Sequence, residues 1–350
     1  MAERPRILRL KDVAEHAGVS IATASRSLSG ASGVSETLAE RVREVARQLG
    51  YTANPHARSL AAGTSRSVGL VVHEIGDPYF TEIASGALRV GAREGLMVQI
   101  CHTGRDPRQQ LAQVRTLVAS RVGAIVIAGS GFVDARLQVA VKAELQAYRA
   151  AGGRVAVIGR HHLGVDAVLP ENAAGGRAIA EHVLAQGHRR LAVVTGSRAL
   201  TTIADRIGGV AAAFGAAGLD FATVPQVEAE FTRAGGKVAA QTILAQHPDV
   251  TAVLALNDDM AIGILSVFRS HGIAVPGRIS VAGFDDVAVA QDLAPSLTTV
   301  RLPMSEMGAL ALELALKEPS ARPRRRVIGH GLVVRDSTAP PPAAVASERP

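Results

Sequence analysis

Seven polar residues fall where apolar runs of the chain end: Asp77, Arg160, Glu171, Asn172, Arg206, Asn257 and Asp285. Carboxylates and guanidinium groups brought together suit bidentate hydrogen bonding to vicinal hydroxyls, and an aromatic such as Tyr79, Phe80 or Phe132 can cover the face of a sugar ring. Asp258-Asp259 and Asp285-Asp286 resemble catalytic carboxylate pairs. Adjacent residues rarely converge on one bond, however, so helix capping or hydrogen bonding between lobes is the better reading. Gly129-Ser130-Gly131-Phe132-Val133-Asp134 is an incomplete GxGxxG, with Asp134 where the third glycine belongs, and it follows a third strand rather than a first. That is weak evidence for a dinucleotide site. No HExxH, Walker A or nucleophile-elbow pattern occurs, so neither an enzyme nor a cofactor or metal is expected. The one cysteine, Cys101, sits in LMVQIC and reads as a buried structural thiol, with no disulfide framework and no cysteine-based metal site.

A second constellation lies near the start. In Leu10–Leu28, LKDVAEHAGVSIATASRSL, the residues Leu10, Val13, Ala14 and Ala17 share one helical face. Gly18 permits a sharp turn, Val19 can plug the angle, and the Ser20 hydroxyl can cap a second helix. Two such helices are the usual device for entering the DNA major groove, an ordinary helical hairpin being the alternative. Ser35 caps a third helix, striped by Leu38, Val42, Val45, Ala46 and Leu49 and followed by Gly50. From Met1 to Arg66 ten basic residues face six acidic ones, within a formal net charge of +7, a balance that permits a nucleic-acid partner. Asn54-Pro55 starts a helix that is only about two turns long, too short to hold in water alone.

From Ser67 the texture changes. SVGLVV, LMVQIC, AIVIAG and RVAVIG alternate with Pro78–Gly95, Pro107–Ser120 and Asp134–Ala151. RLAVVTG, VEAEF, AVLALN and ISVAGFD then alternate with Arg177–Gln186, Thr201–Ala217, Arg233–Gln246 and Asp258–Ser270. Continuous apolar strands separated by helices predict parallel sheets covered on both faces, and the number of strands predicts two doubly wound lobes with a cleft between. Ligands in such sheets bind outside the carboxyl ends of the strands. Leu310–Leu316 reads as helix and RRVIGHGLVVRDS as late strand material. The Pro/Ala-rich end from Thr338 reads as a disordered tail, without the leucine heptads of a tetramerising coil. The N-terminus has no signal-peptide core and no stretch approaches a membrane span, so a cytoplasmic protein is expected, with no membrane partner.

LKDVAEHAGVSIATASRSLSG, then LGYTANPHARSLAAGTSRSVGLVV, resembles the lac repressor (LacI/GalR) family of transcription regulators. DPYFTEIASGA, GHRRLAVVTG, LNDDMAIG, VPGRISVAGFDD and PSLTTVRLPMSEMG follow in the family's order, so the resemblance spans nearly all of Leu10 to Ser337. It implies a helix-turn-helix domain over 1–53, a hinge helix and linker over 54–66, a two-lobed periplasmic-binding-protein-like effector and dimerisation domain over 67–337, and a tail over 338–350. It implies a homodimeric repressor on a pseudo-palindromic double-stranded operator, controlled by a small metabolite, a carbohydrate by family default. On the DNA side, Ile21, Ala22 and Arg26 would face base edges while Ser20, Thr23 and Ser25 hold phosphates. Arg26 suits a bidentate contact to guanine; the alternative for Ile21 is packing inside the bundle. Leu60 takes the place of the family's minor-groove wedge, with Asn54 and Arg58 in the same hinge contact. In the cleft, Asp77, Arg160, Arg206, Asn257 and Asp285 match ligand-contact positions, with Tyr79, Phe80 and Thr202 beside them. Asp77 in place of Asn, Gly159 in place of Asp, and Pro170-Glu171 in place of Val-Asp depart from the pattern near that ligand. A transport-type solute-binding protein shares the two-lobed plan, but has no use for Leu10–Leu49.

Overall fold

A computed structural model describes residues 8–30, 32–51 and 65–342. The chain forms two compact units, Met1–Arg66 and Ser67–Pro350. In the first, α1 (Leu10–Ala17), α2 (Ile21–Ser29) and α3 (Glu36–Gln48) follow one another. Gly18 closes α1 in the left-handed region, at φ 63°, where a side chain would be strained. Ser20 then starts α2, its Oγ accepting the Thr23 N–H at 3.1 Å. Val13, Ala14, Ala17, Ala24, Val42 and Ala46 make the small core. Arg41 ties α3 to α1 by donating from Nη2 to the Ala17 carbonyl at 2.9 Å. Ser35 occupies the cap position of α3 without a side-chain cap bond.

The second unit opens with β1 (Ser67–Val72), α4 (Pro78–Arg93), β2 (Met97–His102), α5 (Pro107–Ala119), β3 (Ala124–Ala128), α6 (Val139–Ala150), β4 (Arg154–Ile158) and β5 (Asp166–Pro170). It continues with α7 (Asn172–Ala185), β6 (Leu191–Thr195), α8 (Thr201–Ala216), β7 (Gln226–Glu228), α9 (Arg233–Gln246), β8 (Ala252–Ala255), α10 (Asp258–Ser270) and β9 (Ser280–Ala282). The chain ends with β10 (Thr299–Arg301), α11 (Met304–Leu316), β11 (Arg325–Ile328) and β12 (Gly331–Val333). One sheet has the order β11-β5-β4-β3-β1-β2 and the other β7-β6-β8-β9, every pair within them parallel, while β10 and β12 form a small antiparallel pair.

Alternation along the strands explains the layering. Leu70 and Val72 face one core while Val71, Ile125 and Ile127 face another. In the second lobe Val193 and Leu254 face inward to the shared core, and Val194, Val253 and Val281 face the opposite layer. Both faces of the central strands β1, β3, β6 and β8 are therefore dry, which is why these strands read as unbroken apolar runs. The first lobe takes its last helix and edge strand, α11 and β11, from the end of the chain, so the chain crosses between lobes three times.

Three expectations need correction, and one strand, β5, has no counterpart among the apolar runs because DAVLP is short and ends in proline. The helix at Leu310–Leu316 starts six residues earlier, at Met304. Cys101 is half-buried rather than buried, since β2 is an edge strand. Thr338 does not begin a disordered tail: its hydroxyl lies 2.9 Å from His182 Nε2 and 3.0 Å from Thr298 Oγ1, and the Ala339 carbonyl lies 2.9 Å from His188 Nε2. Polar partners on the second lobe hold this Pro/Ala-rich segment, which composition alone cannot reveal. The hinge residues Asn54, Arg58 and Leu60 lie outside the described residues. No described helix is long and apolar enough to cross a membrane.

Candidate functional site

The candidate DNA-reading surface is the outer face of α2. Ile21 is 51% exposed, which removes it from the bundle core, and Ala22 and Arg26 are exposed beside it. Ser20 and Thr23 bond to one another through their hydroxyls at 2.8 Å, and Ser25 is half-buried. Arg26 Nε reaches only its own helix, at the Ala22 carbonyl (3.3 Å), leaving the guanidinium edge available. An exposed apolar residue next to an arginine at a capped helix N-terminus suits a groove carrying methyl groups and guanine acceptors.

The second candidate site lies between the lobes, where strand carboxyl ends converge on a cleft of about 420 Å³ that includes its mouth open to solvent. Asp77, Asn257 and Asp285 line it from the segments that follow strands, Tyr79 and Phe80 from the start of α4, and Thr202 and Arg206 from α8. Asp77 caps α4, accepting the Tyr79 N–H on Oδ1 at 3.0 Å, while Oδ2 accepts from Arg105 Nη2 at 3.2 Å. Burial raises its pKa, against the backbone bond and Arg105. Asn257 caps α10 by accepting the Met260 N–H at 2.9 Å, which leaves its amide nitrogen as the group to present to a ligand.

Arg206 is the most constrained charge. Nε donates to Asn172 Oδ1 at 2.9 Å, Nη1 to the Leu256 carbonyl, and Nη2 to Asp285 Oδ1 at 2.8 Å. Its guanidinium carbon stands 3.7 Å from the centre of the Phe284 ring. Asp285 is 3% exposed and holds φ at 118°, unusual for a residue with a side chain. Its carboxyl is pushed up to about 7, chiefly by burial and also by Asp77 and Asp259, with Arg206 opposing.

Arg160 is placed elsewhere. Its guanidinium bonds Asp205 at 2.6 and 3.3 Å, across the lobes and outside the cavity. The half-buried carboxylate of Asp205, on α8, meets it there, so Arg160 joins lobes rather than lining the cleft. Glu171 pairs with His330 at 3.0 Å and is not a cavity residue; Asn172 serves by orienting Arg206. Phe132 is buried in a β-bridge to Leu200, and Phe231 supplies the aromatic wall instead.

The sequence reading missed His73, Arg105, Ser130, Leu200, Ile203 and Phe231. Strand ends gave a usable signal for Arg105, which follows β2, and for Phe231, which closes VEAEF. Arg105 stacks 4.5 Å from the Phe231 ring centre and 5.9 Å from that of Phe80, so one cation bridges aromatics of both lobes. His73 gives its Nε2 proton to the Ser130 carbonyl at 3.0 Å, and its Nδ1 lies 3.1 Å from Thr103 Oγ1. Burial, then Arg105, lower its pKa to about 3, so it is neutral.

The glycines of GSGFVD receive a mechanical explanation. A Cβ on Gly131 would come within 2.3 Å of the Arg160 carbonyl, and one on Gly129 within 2.5 Å of the His73 ring. They allow this loop to pack closely on its own lobe, at His73 and Arg160, and from there its backbone reaches the second lobe. Val133 N–H donates to the Ala199 carbonyl at 2.8 Å, Thr201 N–H to Gly131 at 3.0 Å, and Thr202 N–H to Ser130 Oγ at 2.9 Å. The adjacent carboxylates also separate. Asp258 accepts from Thr299 and Val287, Asp259 from Arg233, and Asp286 from Arg301 and Arg335, so neither pair converges on one point.

A capped helix-turn-helix ahead of a two-lobed α/β fold with a polar interlobe cleft defines the class: DNA-binding regulators that carry their own ligand-binding domain. Residues 9–54 match the family of bacterial regulatory proteins, lacI family, and residues 180–338 match the periplasmic binding protein-like domain. The chain is 32% identical to the HTH-type transcriptional regulator GalR of Escherichia coli (strain K12) over 316 residues, 90% of each chain. It belongs to the LacI family of transcription regulators. Among solved structures, a lac repressor dimer bound to operator and the anti-inducer ONPF superposes with a TM-score of 0.82 at 23% identity, over 95% of this chain and all of that one. A CelR–cellobiose complex superposes at 0.69 with 27% identity, over 94% of this chain and 99% of that one.

Proposed function

We propose that the chain is a cytoplasmic, homodimeric repressor on a pseudo-palindromic operator, with a small polyhydroxylated metabolite, a carbohydrate or close derivative, as its effector. Residues 1–53 bind DNA, 54–66 form the hinge, and 67–337 bind the effector and the second subunit. Ile21, Ala22 and Arg26 read bases while Ser20, Thr23 and Ser25 meet phosphates. Leu60 wedges into the minor groove, with Asn54 and Arg58 beside it. Its role is regulation rather than catalysis, in keeping with its relatives.

The observation that carries this reading is the cleft walled by both lobes. Its carboxylates, guanidinium groups and Asn257 can bracket vicinal hydroxyls, while Tyr79, Phe80 and Phe231 offer ring faces. Any ligand touching both walls has a different affinity for each lobe arrangement and therefore shifts the equilibrium between them. The cellobiose held by the CelR relative supports the carbohydrate assignment.

Two measurements test it. Fluorescence anisotropy on promoter DNA flanking the gene should show nanomolar binding at moderate salt and clear preference over random duplex; equal affinities would end the regulator reading. A thermal-shift screen with sugars, sugar acids, nucleosides and purines should raise the melting temperature for one sugar class only.

A further inference from the structure

The larger sheet has a cationic end. Its strands are parallel, so their first residues share one edge. The chain enters there at Ser67, whose carbonyl accepts the Gly123 N–H at 2.8 Å; Arg154 opens β4 and Arg325 opens β11. The carboxylates flanking these strand starts already hold arginines: Glu94 with Arg93 (3.0 Å), Asp166 with Arg324 (2.9 Å) and Glu318 with Arg154 (2.6 Å). Arg121, Lys317, Arg322, Arg325 and Arg326 are exposed, and none has a carboxylate partner among the described residues. Arg325 and Arg326 stand on an edge strand and Arg121 precedes β3, three strand spacings away, about 14 Å.

Several exposed arginines without counter-charges repel one another, so the folded unit carries a cost that an anionic partner would relieve. The chain itself indicates which partner. The helix-turn-helix unit connects to this end through residues 52–66, a tether that spans at most ~50 Å. DNA held by α2 is therefore offered to this edge at high effective concentration. Duplex DNA carries one negative charge per about 1.7 Å of axis, and guanidinium groups suit its phosphates.

We propose that Arg121, Lys317, Arg322, Arg325 and Arg326 form a second, sequence-independent DNA contact that grips the phosphate backbone flanking the operator. The proposal rests on the operator-binding reading above. It assigns the regulatory unit a direct share of DNA affinity, in addition to its control of the hinge.

The test uses the full chain with the triple variant Arg322→Gln, Arg325→Gln, Arg326→Gln, and a parallel triple Arg→Lys variant. Each is titrated with operator duplex trimmed to the site and with duplex extended by about two helical turns on each side. The Gln variant should lose at least about tenfold in affinity for the extended duplex at about 0.1 M salt, with a log–log salt slope shallower by about 5, since the dimer loses three arginines from each protomer. The trimmed duplex should show little change, and the Lys variant should keep the wild-type slope. An unchanged slope on the extended duplex, or equal losses by the Gln and Lys variants, overturns the proposal while leaving the regulator reading intact. Wild-type protein that does not prefer operator to random duplex overturns both.

Discussion

At single residues, the cleft is a set of buried charges that persist because each has a partner. Arg206 makes three hydrogen bonds, and Asp285 depends on it. Arg206→Met should cost about 3 kcal/mol or more, because removing one member of a buried pair leaves the other uncompensated. Urea denaturation should show the double variant Arg206→Met, Asp285→Asn recovering part of that loss; full additivity would mean the two are not coupled. The pH dependence has two opposed limbs. Asp285, raised to about 7, contributes stability that is present below its ordinary range near 3.8 and is lost as pH rises through 7. His73, lowered to about 3, contributes stability that is full above 6.5 and is lost as pH falls toward 3. His73→Gln should therefore flatten the acid limb of a denaturation midpoint–pH profile; an unaltered acid limb would show that His73 does not drive it. Sequence made the polar wall legible, since Asp77, Asn257 and Asp285 follow strands. It did not show where Arg160 points, because Asp205 becomes its neighbour only when two lobes close.

Elements were most legible where one local rule governs. Ser20 could be read as a cap because its hydroxyl serves an amide three residues on, without help from the tertiary fold. Ser20→Ala should cost about 1 kcal/mol, concentrated in α2. Hydrogen exchange of the α2 amides in the full chain should speed up while those of α9 stay unchanged; uniform acceleration would contradict a local cap. The proposed hinge would obey a different logic, since a segment of about two turns is too short to hold helix in water alone. Leu60→Ala should weaken operator binding much more than non-specific binding, as expected of an apolar wedge that kinks one site. Equal losses on operator and random duplex would exclude that role. β5 and the packed residues Thr338 and Ala339 escaped the sequence reading for a common reason: their order comes from neighbours distant in sequence. β5 is completed by β11, and the end segment is held by His182, His188 and Thr298.

Across the whole regulatory unit, the proposed switch depends on how firmly the two lobes hold each other. The seam combines backbone bonds between 131–133 and 199–201, the Ser130 hydroxyl, the Arg105 stack on Phe231, and the Arg160–Asp205 pair. The last is partly exposed, with side-chain accessibilities of 48% and 31%, so water and salt weaken it to within about 1 kcal/mol. An amount that small hardly affects global stability, yet it shifts a two-state lobe equilibrium by roughly fivefold. Arg160→Gln should therefore leave the unfolding midpoint nearly unchanged while raising the radius of gyration of the ligand-free protein in solution scattering. If the effector prefers joined lobes, its apparent affinity falls by the same factor, up to about fivefold, and in each protein reciprocity requires operator DNA to change effector affinity by the factor by which the effector changes operator affinity. Added salt should move the wild type toward the variant, because screening acts on this exposed pair and spares the buried Arg206–Asp285 bond. Identical scattering and identical effector affinity in the two proteins would place the closing force in the rest of the seam, the backbone bonds, the Ser130 hydroxyl and the Arg105 stack.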